Sequence, residues 1–99
     1  MREIVYNPRV PSDGREIFRY YQDVSPELGE RFWSDLFAAI EYAGRYPERD
    51  HFDMLGLGLR RSNLKEFLIH FLFRVFPHFI RVTVLRHDQR RPEFGIRRK

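Results

Sequence analysis

The sequence predicts an α+β fold: a short N-terminal strand, a helical hairpin, then an antiparallel β-meander packed on the helices. Two patterns carry that expectation. Apolar residues recur at spacings of three and four through the first half of the chain and alternate with other residues through much of the second. Length and cysteine usage bound it further. A chain of 99 residues has room for a single domain spanning residues 1–99. With no cysteine it has no disulfide framework and no thiolate metal site, so packing must hold it together.

The elements follow in order. Arg2 to Tyr6, with Ile4, Val5 and Tyr6, is β-prone and ends at Asn7-Pro8, as an edge or a central strand. Ser12 or Asp13 is the expected cap of a first helix, with Glu16 in capping-box spacing beyond Asp13. That helix runs to about Asp23 and places Ile17, Tyr20, Tyr21 and Val24 on one face. Ser25-Pro26-Glu27 ends it and starts a second, because serine caps, proline suits the first helical position and an acid suits the first turn. Phe32, Trp33, Leu36, Phe37, Ile40 and Ala43 give the second helix a broad apolar stripe, with Trp33 read as core, and Tyr46-Pro47 ends it after Arg45. Two helices joined this tightly form a hairpin whose shared apolar side needs a cover.

The second half supplies it. Leu55-Gly-Leu-Gly-Leu-Arg-Arg61 leads from a glycine-containing loop into extended chain. Phe67, Ile69, Phe71 and Phe73 then alternate with Leu68, His70, Leu72 and Arg74, and after a turn at Pro77-His78, Ile80, Val82 and Val84 alternate with Arg81, Thr83 and Leu85. If the Phe, Ile and Val rows meet the helices, Leu68, His70, Leu72, Arg74, Arg81, Thr83 and Leu85 occupy the opposite face. A solvated sheet face is ordinarily more polar. Those leucines imply either a partner or a C-terminal tail folded back over them.

Charge is divided along the chain. Residues 1–53 carry seven arginines against eleven acids, net −4, and residues 54–99 carry eleven basic residues against three acids, net +8. Only Lys65 and Lys99 are lysine, and a guanidinium grips carboxylate or phosphate in a planar fork where an ammonium is a point charge. The C-terminal half therefore suits an anionic partner. Several classes are excluded. No apolar run approaches the roughly 20 residues of a membrane span, and Met1-Arg-Glu-Ile-Val lacks the apolar core of a signal peptide, so a cytoplasmic protein without membrane association is expected. His51, His70, His78 and His87 show no metal-ligand spacing. Gly56 and Gly58 precede a strand instead of a helix, which makes them turn residues and not a phosphate loop. No metal and no cofactor is expected.

Arg86-His87-Asp88-Gln89-Arg90-Arg91 stands where the last strand runs out, a rigid edge from which cationic side chains can reach a phosphate. Together with the Phe37-Ala-Ala-Ile-Glu-Tyr helix ending at Tyr46-Pro47, the Leu55-Gly-Leu-Gly-Leu-Arg-Arg loop, the Phe71-Leu-Phe-Arg-Val strand and Val84-Leu-Arg-His87, it resembles the RelE/ParE superfamily of toxins from bacterial toxin–antitoxin (plasmid stabilisation) modules. The likeness spans essentially the whole chain and is closer to the ParE-like branch. It implies a growth-inhibiting toxin neutralised by a cognate antitoxin, with DNA gyrase as the target class in the ParE-like branch and mRNA in the ribosome in the RelE-like branch.

Cleavage of RNA needs a base, an acid and cations on the phosphate. By position, the RelE-like set maps its strand-end arginine onto Arg90, meets His70 where an arginine is expected, and lacks its late tyrosine, since the last tyrosine is Tyr46 and the tail carries Phe94. The nuclease alternative therefore rests on His70, His87 and Arg90, with His70 and His87 as an acid/base pair on one face. The binding alternative rests on Arg60, Arg61, Arg74, Arg81, Arg86 and Arg90 for anionic contacts, with Leu68, Leu72 and Leu85 for apolar ones. An inactive antitoxin-binding module is the third reading.

Overall fold

The computed structural model describes residues 1–99. Its elements are β1 (Glu3–Tyr6), α1 (Val10–Val24), α2 (Pro26–Arg45), a 3-10 turn (Pro47–Arg49), β2 (Arg60–Asn63), β3 (Ile69–Val75) and β4 (Phe79–His87). The strands form one sheet in the order β1-β4-β3-β2. β2, β3 and β4 are the antiparallel meander, and β1 is an edge strand running parallel to β4. No helix is long and apolar enough to cross a membrane.

The helical hairpin follows its local signals closely. The Ser25 side chain accepts a hydrogen bond from the Leu28 amide at 3.1 Å, Pro26 opens α2, and α2 stops at Arg45 before Tyr46-Pro47. The start of α1 differs. Arg9 is its N-cap and Pro11 sits in its first turn, so Ser12 and Asp13 lie inside the helix and cap nothing. Asn7 holds the entry by accepting from the Arg9 amide at 2.9 Å. The inward face of α1 is also rotated: Ile17, Phe18 and Tyr21 pack on the core, while Tyr20 and Val24 are exposed.

Between the hairpin and the sheet lies a core of Val10, Phe32, Leu36, Ile40 and Ala43 from the helices against Phe67, Ile69, Phe71, Phe73, Ile80 and Val82. Trp33 is half-buried at its margin, stacked between Phe18 and Phe37. The alternation of β3 survives intact, but that of β4 does not. Phe73 pairs with Val82 while Leu72 pairs with Val84, so Thr83 is an extra residue and every later side chain changes face. Val84 is thereby turned away from the helices. Leu85, expected on the opposite face, joins the helix-side core.

That opposite face is closed by the C-terminal tail. Leu59, Leu72, Val84 and Ile96 form a second apolar cluster, with Phe94 packed against it. Leu72, expected as a docking residue, is fully buried beneath the tail, and Arg86 is 4% exposed. Gly95 makes the approach possible. Its φ is +78°, and a Cβ there would sit 2.7 Å from Val84 Cβ.

Candidate functional site

Two groups of side chains on the tail-covered face carry charge. The first is a buried relay. His70 pairs across the strands with Arg86, which puts both on this face, and Asp88 follows just beyond the end of β4. His70 Nδ1 lies 2.7 Å from Asp88 Oδ1, and Arg86 Nε donates to His70 Nε2 at 2.8 Å. Because Arg86 is always a donor, Nε2 must be the acceptor and Nδ1 must carry the proton donated to Asp88. Burial pushes the His70 pKa down; the Asp88 hydrogen bond opposes this, and the nearby Arg61 and Arg86 charges reinforce it. Arg86 Nη1 then donates to the carbonyls of Pro92 at 2.8 Å and Phe94 at 2.7 Å, which ties the relay to the tail. Arg61 stands 3.5 Å from Asp88 and steadies the far end.

This arrangement separates the residues of the nuclease alternative. His87 pairs with Ile69 and therefore faces the helices, on the side of the sheet away from His70. The register change at Thr83 is what parts them. Both ring nitrogens of His70 are occupied within the chain, so neither is open to a substrate hydroxyl. Arg90 is exposed and lies 4.1 Å over the Phe94 ring.

The second group lines an open groove of about 730 Å³ between the loop before β2, the β3–β4 turn and the tail. Arg74 and Arg81 stand opposite each other on β3 and β4 and are joined by Arg97, Arg98 and Lys99; no aspartate or glutamate lines it. Like charges directly opposite on a sheet oppose folding. Arg98 is already committed to Asp13 at 2.6 and 3.2 Å, and Arg74 donates to the Leu57 carbonyl. Arg81 keeps its buried Nε without a partner. Leu57, on the groove's lip, is the only non-glycine residue with positive φ, at 62° between two glycines, a conformation that costs a leucine about 1–2 kcal/mol.

The remaining predicted contacts scatter. Arg60 donates to the Asp50 carbonyl at 2.7 Å and lies 4.1 Å over the Phe52 ring. Leu68 is exposed beside Tyr20 and His87 on another opening, between α1 and the start of β3. Sequence reasoning missed Leu57 and the tail cations. The one available signal was the tail itself, where Phe94 and Ile96 are spaced like one face of an extended segment and arginines follow.

Asp13 also takes a role other than capping. β1 pairs with β4 only as far as Val82, leaving the next stretch of that edge open. Asp13 accepts from the Leu85 amide at 3.1 Å, and Arg98 donates to the Thr83 carbonyl at 3.3 Å, so an ion pair completes the edge that backbone pairing leaves.

No protein-family model and no curated protein matches the sequence. Among solved structures, a chain of one described as "Chromosomal ParDE TA system from P. aeruginosa" superposes with a TM-score of 0.77 at 16% identity, covering 88% of this chain and 96% of that one. The likeness establishes the fold.

Proposed function

From a ParE-like fold, we propose that the chain is the toxin of a type II toxin–antitoxin pair, acting by binding a large target of the DNA gyrase class and neutralised by an antitoxin. The observation that carries the toxin reading is the superposition over nearly the whole of both chains. The closed state of His70 supports binding over RNA cleavage: with its ring bonded to Asp88 and Arg86, and His87 across the sheet, the acid/base pair that attack by a 2′-hydroxyl needs is not assembled. The surviving anionic contacts are Arg74 and Arg81, with Arg61 and Arg90 at the other end of the tail-covered face and Leu68 as an exposed apolar contact. Leu72, Leu85 and Arg86 are buried and serve the fold.

The test is inducible expression in bacteria with and without the product of the neighbouring gene. Growth arrest relieved by that product, with supercoiling by purified DNA gyrase inhibited and transcripts left uncut, is the expected outcome. Undisturbed growth in both arms overturns the toxin reading. Arrest accompanied by transcript cleavage that is lost in His70→Ala or His87→Ala moves the chain to the nuclease class.

A further inference from the structure

We infer that the outer edge of β1 pairs antiparallel with the same edge of a second copy of this chain, joining two sheets about a two-fold axis at Val5. This pairing is independent of the toxin reading. It follows from which sheet edges are guarded, which backbone groups are open and which side chains meet.

The other open edges are guarded. Outside β2, the Arg61 amide donates to the His51 carbonyl at 2.9 Å and Phe52 bridges to Arg60. β2 itself reads Arg-Arg-Ser-Asn, and charged side chains on an edge discourage pairing. Beyond Val82, the edge of β4 is closed by Asp13 and Arg98. β1 reads Glu-Ile-Val-Tyr, with neither proline nor lysine, and an apolar edge without such protection is a template for another strand.

The open groups form a self-complementary set. The Glu3 and Asn7 amides donate to the His78 and Val82 carbonyls at 3.2 and 2.8 Å, so the odd-numbered residues face β4. Ile4 and Tyr6 therefore turn amide and carbonyl outward, where no turn, loop or side chain takes them up. The stretch is bounded on both sides: the Arg2 amide is held by the Gly44 carbonyl at 3.0 Å, and Pro8 has no amide. Antiparallel pairing about Val5 lets each Ile4 exchange both of its bonds with the Tyr6 of the other copy, and no outward group is left over.

Side chains favour a second copy over a foreign strand. In this register Glu3, the one charged residue of β1, falls opposite Asn7 and Val5 falls opposite Val5, so no like charges meet. Ile4 packs on the helix-side core, which places Tyr6 on that side as well and Val5 on the other, beside Arg81. Tyr6 is 41% exposed and lines an apolar hollow of about 310 Å³ with Trp33 and Phe37, itself 57% exposed. Setting the Ile4 of one copy against the Tyr6 of the other continues this apolar surface across the axis. Arg81 and its equivalent lie three strand spacings apart, about 14 Å, beyond the roughly 8 Å over which physiological salt leaves charges unscreened. The pair carries both cationic grooves on one face of a continuous sheet.

The full chain is followed by sedimentation velocity from about 10 μM to about 1 mM, because so short an edge is smaller than a standard interface and fits a Kd on the order of 100 μM. A monomer–dimer equilibrium is expected. Hydrogen exchange at the Ile4 and Tyr6 amides should slow as the dimer fills, while helix amides stay unchanged. Val5→Glu sets two carboxylates opposite each other at the axis yet gives Arg81 an acceptor within the monomer, so it should weaken the dimer about fivefold or more without lowering the melting temperature. An equimolar mixture of Val5→Glu and Val5→Lys should restore association. Tyr6→Pro deletes an outward amide that the fold does not use and should weaken the dimer about tenfold or more. A chain that stays monomeric throughout overturns the inference, as does a dimer indifferent to both single variants or a mixture that associates no better than its components. Should a variant fail to fold, exchange in the unaltered chain decides, and Ile4 and Tyr6 rates that do not change with concentration overturn the pairing.

Discussion

The helix-covered face of the sheet and the tail-covered face answer the same burial problem with different chemistry. Against the helices, 13 buried apolar residues form one cluster, and its stability follows the area and volume they fill. Against the tail only four apolar residues cluster, and a histidine, an arginine and an aspartate complete the seal with hydrogen bonds. The first face depends on shape. The second depends on shape and on the protonation of one ring, and it also borders the cationic groove. The segment that borders the cationic groove is thus anchored by polar groups that tolerate water nearby, while the fully dry core is kept on the other side.

The largest effect is expected where shape alone is at stake. Phe71→Ala removes a fully buried ring from the middle of the helix-side core and should cost about 3–5 kcal/mol in urea unfolding, enough to threaten folding altogether. Arg86→Met comes next. It keeps volume but removes the donor to His70 Nε2 and to two tail carbonyls, at an expected cost of about 2–3 kcal/mol. Hydrogen exchange distinguishes the two: amides of the tail should lose protection first in Arg86→Met, whereas Phe71→Ala should affect both faces together. Equal loss on both faces in Arg86→Met would mean that the tail is not a separable cover. Gly95→Ala adds to the about 1–2 kcal/mol of a positive φ a Cβ within 2.7 Å of the buried Val84 side chain, which only lifting the tail relieves, so its effect should approach that of Arg86→Met. Accelerated proteolytic clipping within the tail, with the helices still protected, is the measurement.

The two faces also differ in how far the sequence reveals them. The hairpin and β3 were readable because their signals are local: Ser25-Pro26 marks a helix start, Tyr46-Pro47 a stop, and Phe67, Ile69, Phe71 and Phe73 alternate without interruption. The tail-covered face was not, because it depends on pairings between distant residues. Thr83 carries no residue-level signal of a bulge, yet that single extra residue moves Val84 and Leu85 to the faces opposite to those expected and separates His87 from His70. Asp13 has the spacing of a capping residue and is instead used by Arg98, 85 positions away. The basic character of the site was legible in the excess of arginine after residue 53. Its location was only half legible: the leucines of that face left open a partner or a tail folded back over them, and it is the tail, covering Leu72, that brings Arg97 and Lys99 to the groove.

The smallest effect probes the polar seal without altering any residue. His70 has a pKa below the ordinary 6.5, chiefly through burial, with Arg61 and Arg86 reinforcing this against Asp88. Above that value the ring is neutral in both the folded and the unfolded chain and contributes no pH dependence. As pH falls below about 6.5 the unfolded chain binds a proton that the native ring does not yet accept, so stability declines until pH passes the lowered native value and then levels off. The decline is about 1.4 kcal/mol for each unit by which the pKa is lowered. Asp50 acts in the opposite sense at lower pH, because its burial raises its pKa and the native state takes up its proton more readily. Asp50→Asn measured over the same range, from about pH 7 to about pH 5, separates the two contributions, since it removes that of Asp50 and leaves that of His70. When the tail opens, the freed ring can take that proton at Nε2, which places a second donor against Arg86 Nε and opposes reclosure, so tail amides should lose protection over the same interval and His70→Gln should flatten both curves. Stability and tail exchange that stay level between those pH values in the unaltered chain would mean that the ring accepts its proton as easily folded as unfolded, and that the tail-covered face, like the helix-covered one, is held by shape alone.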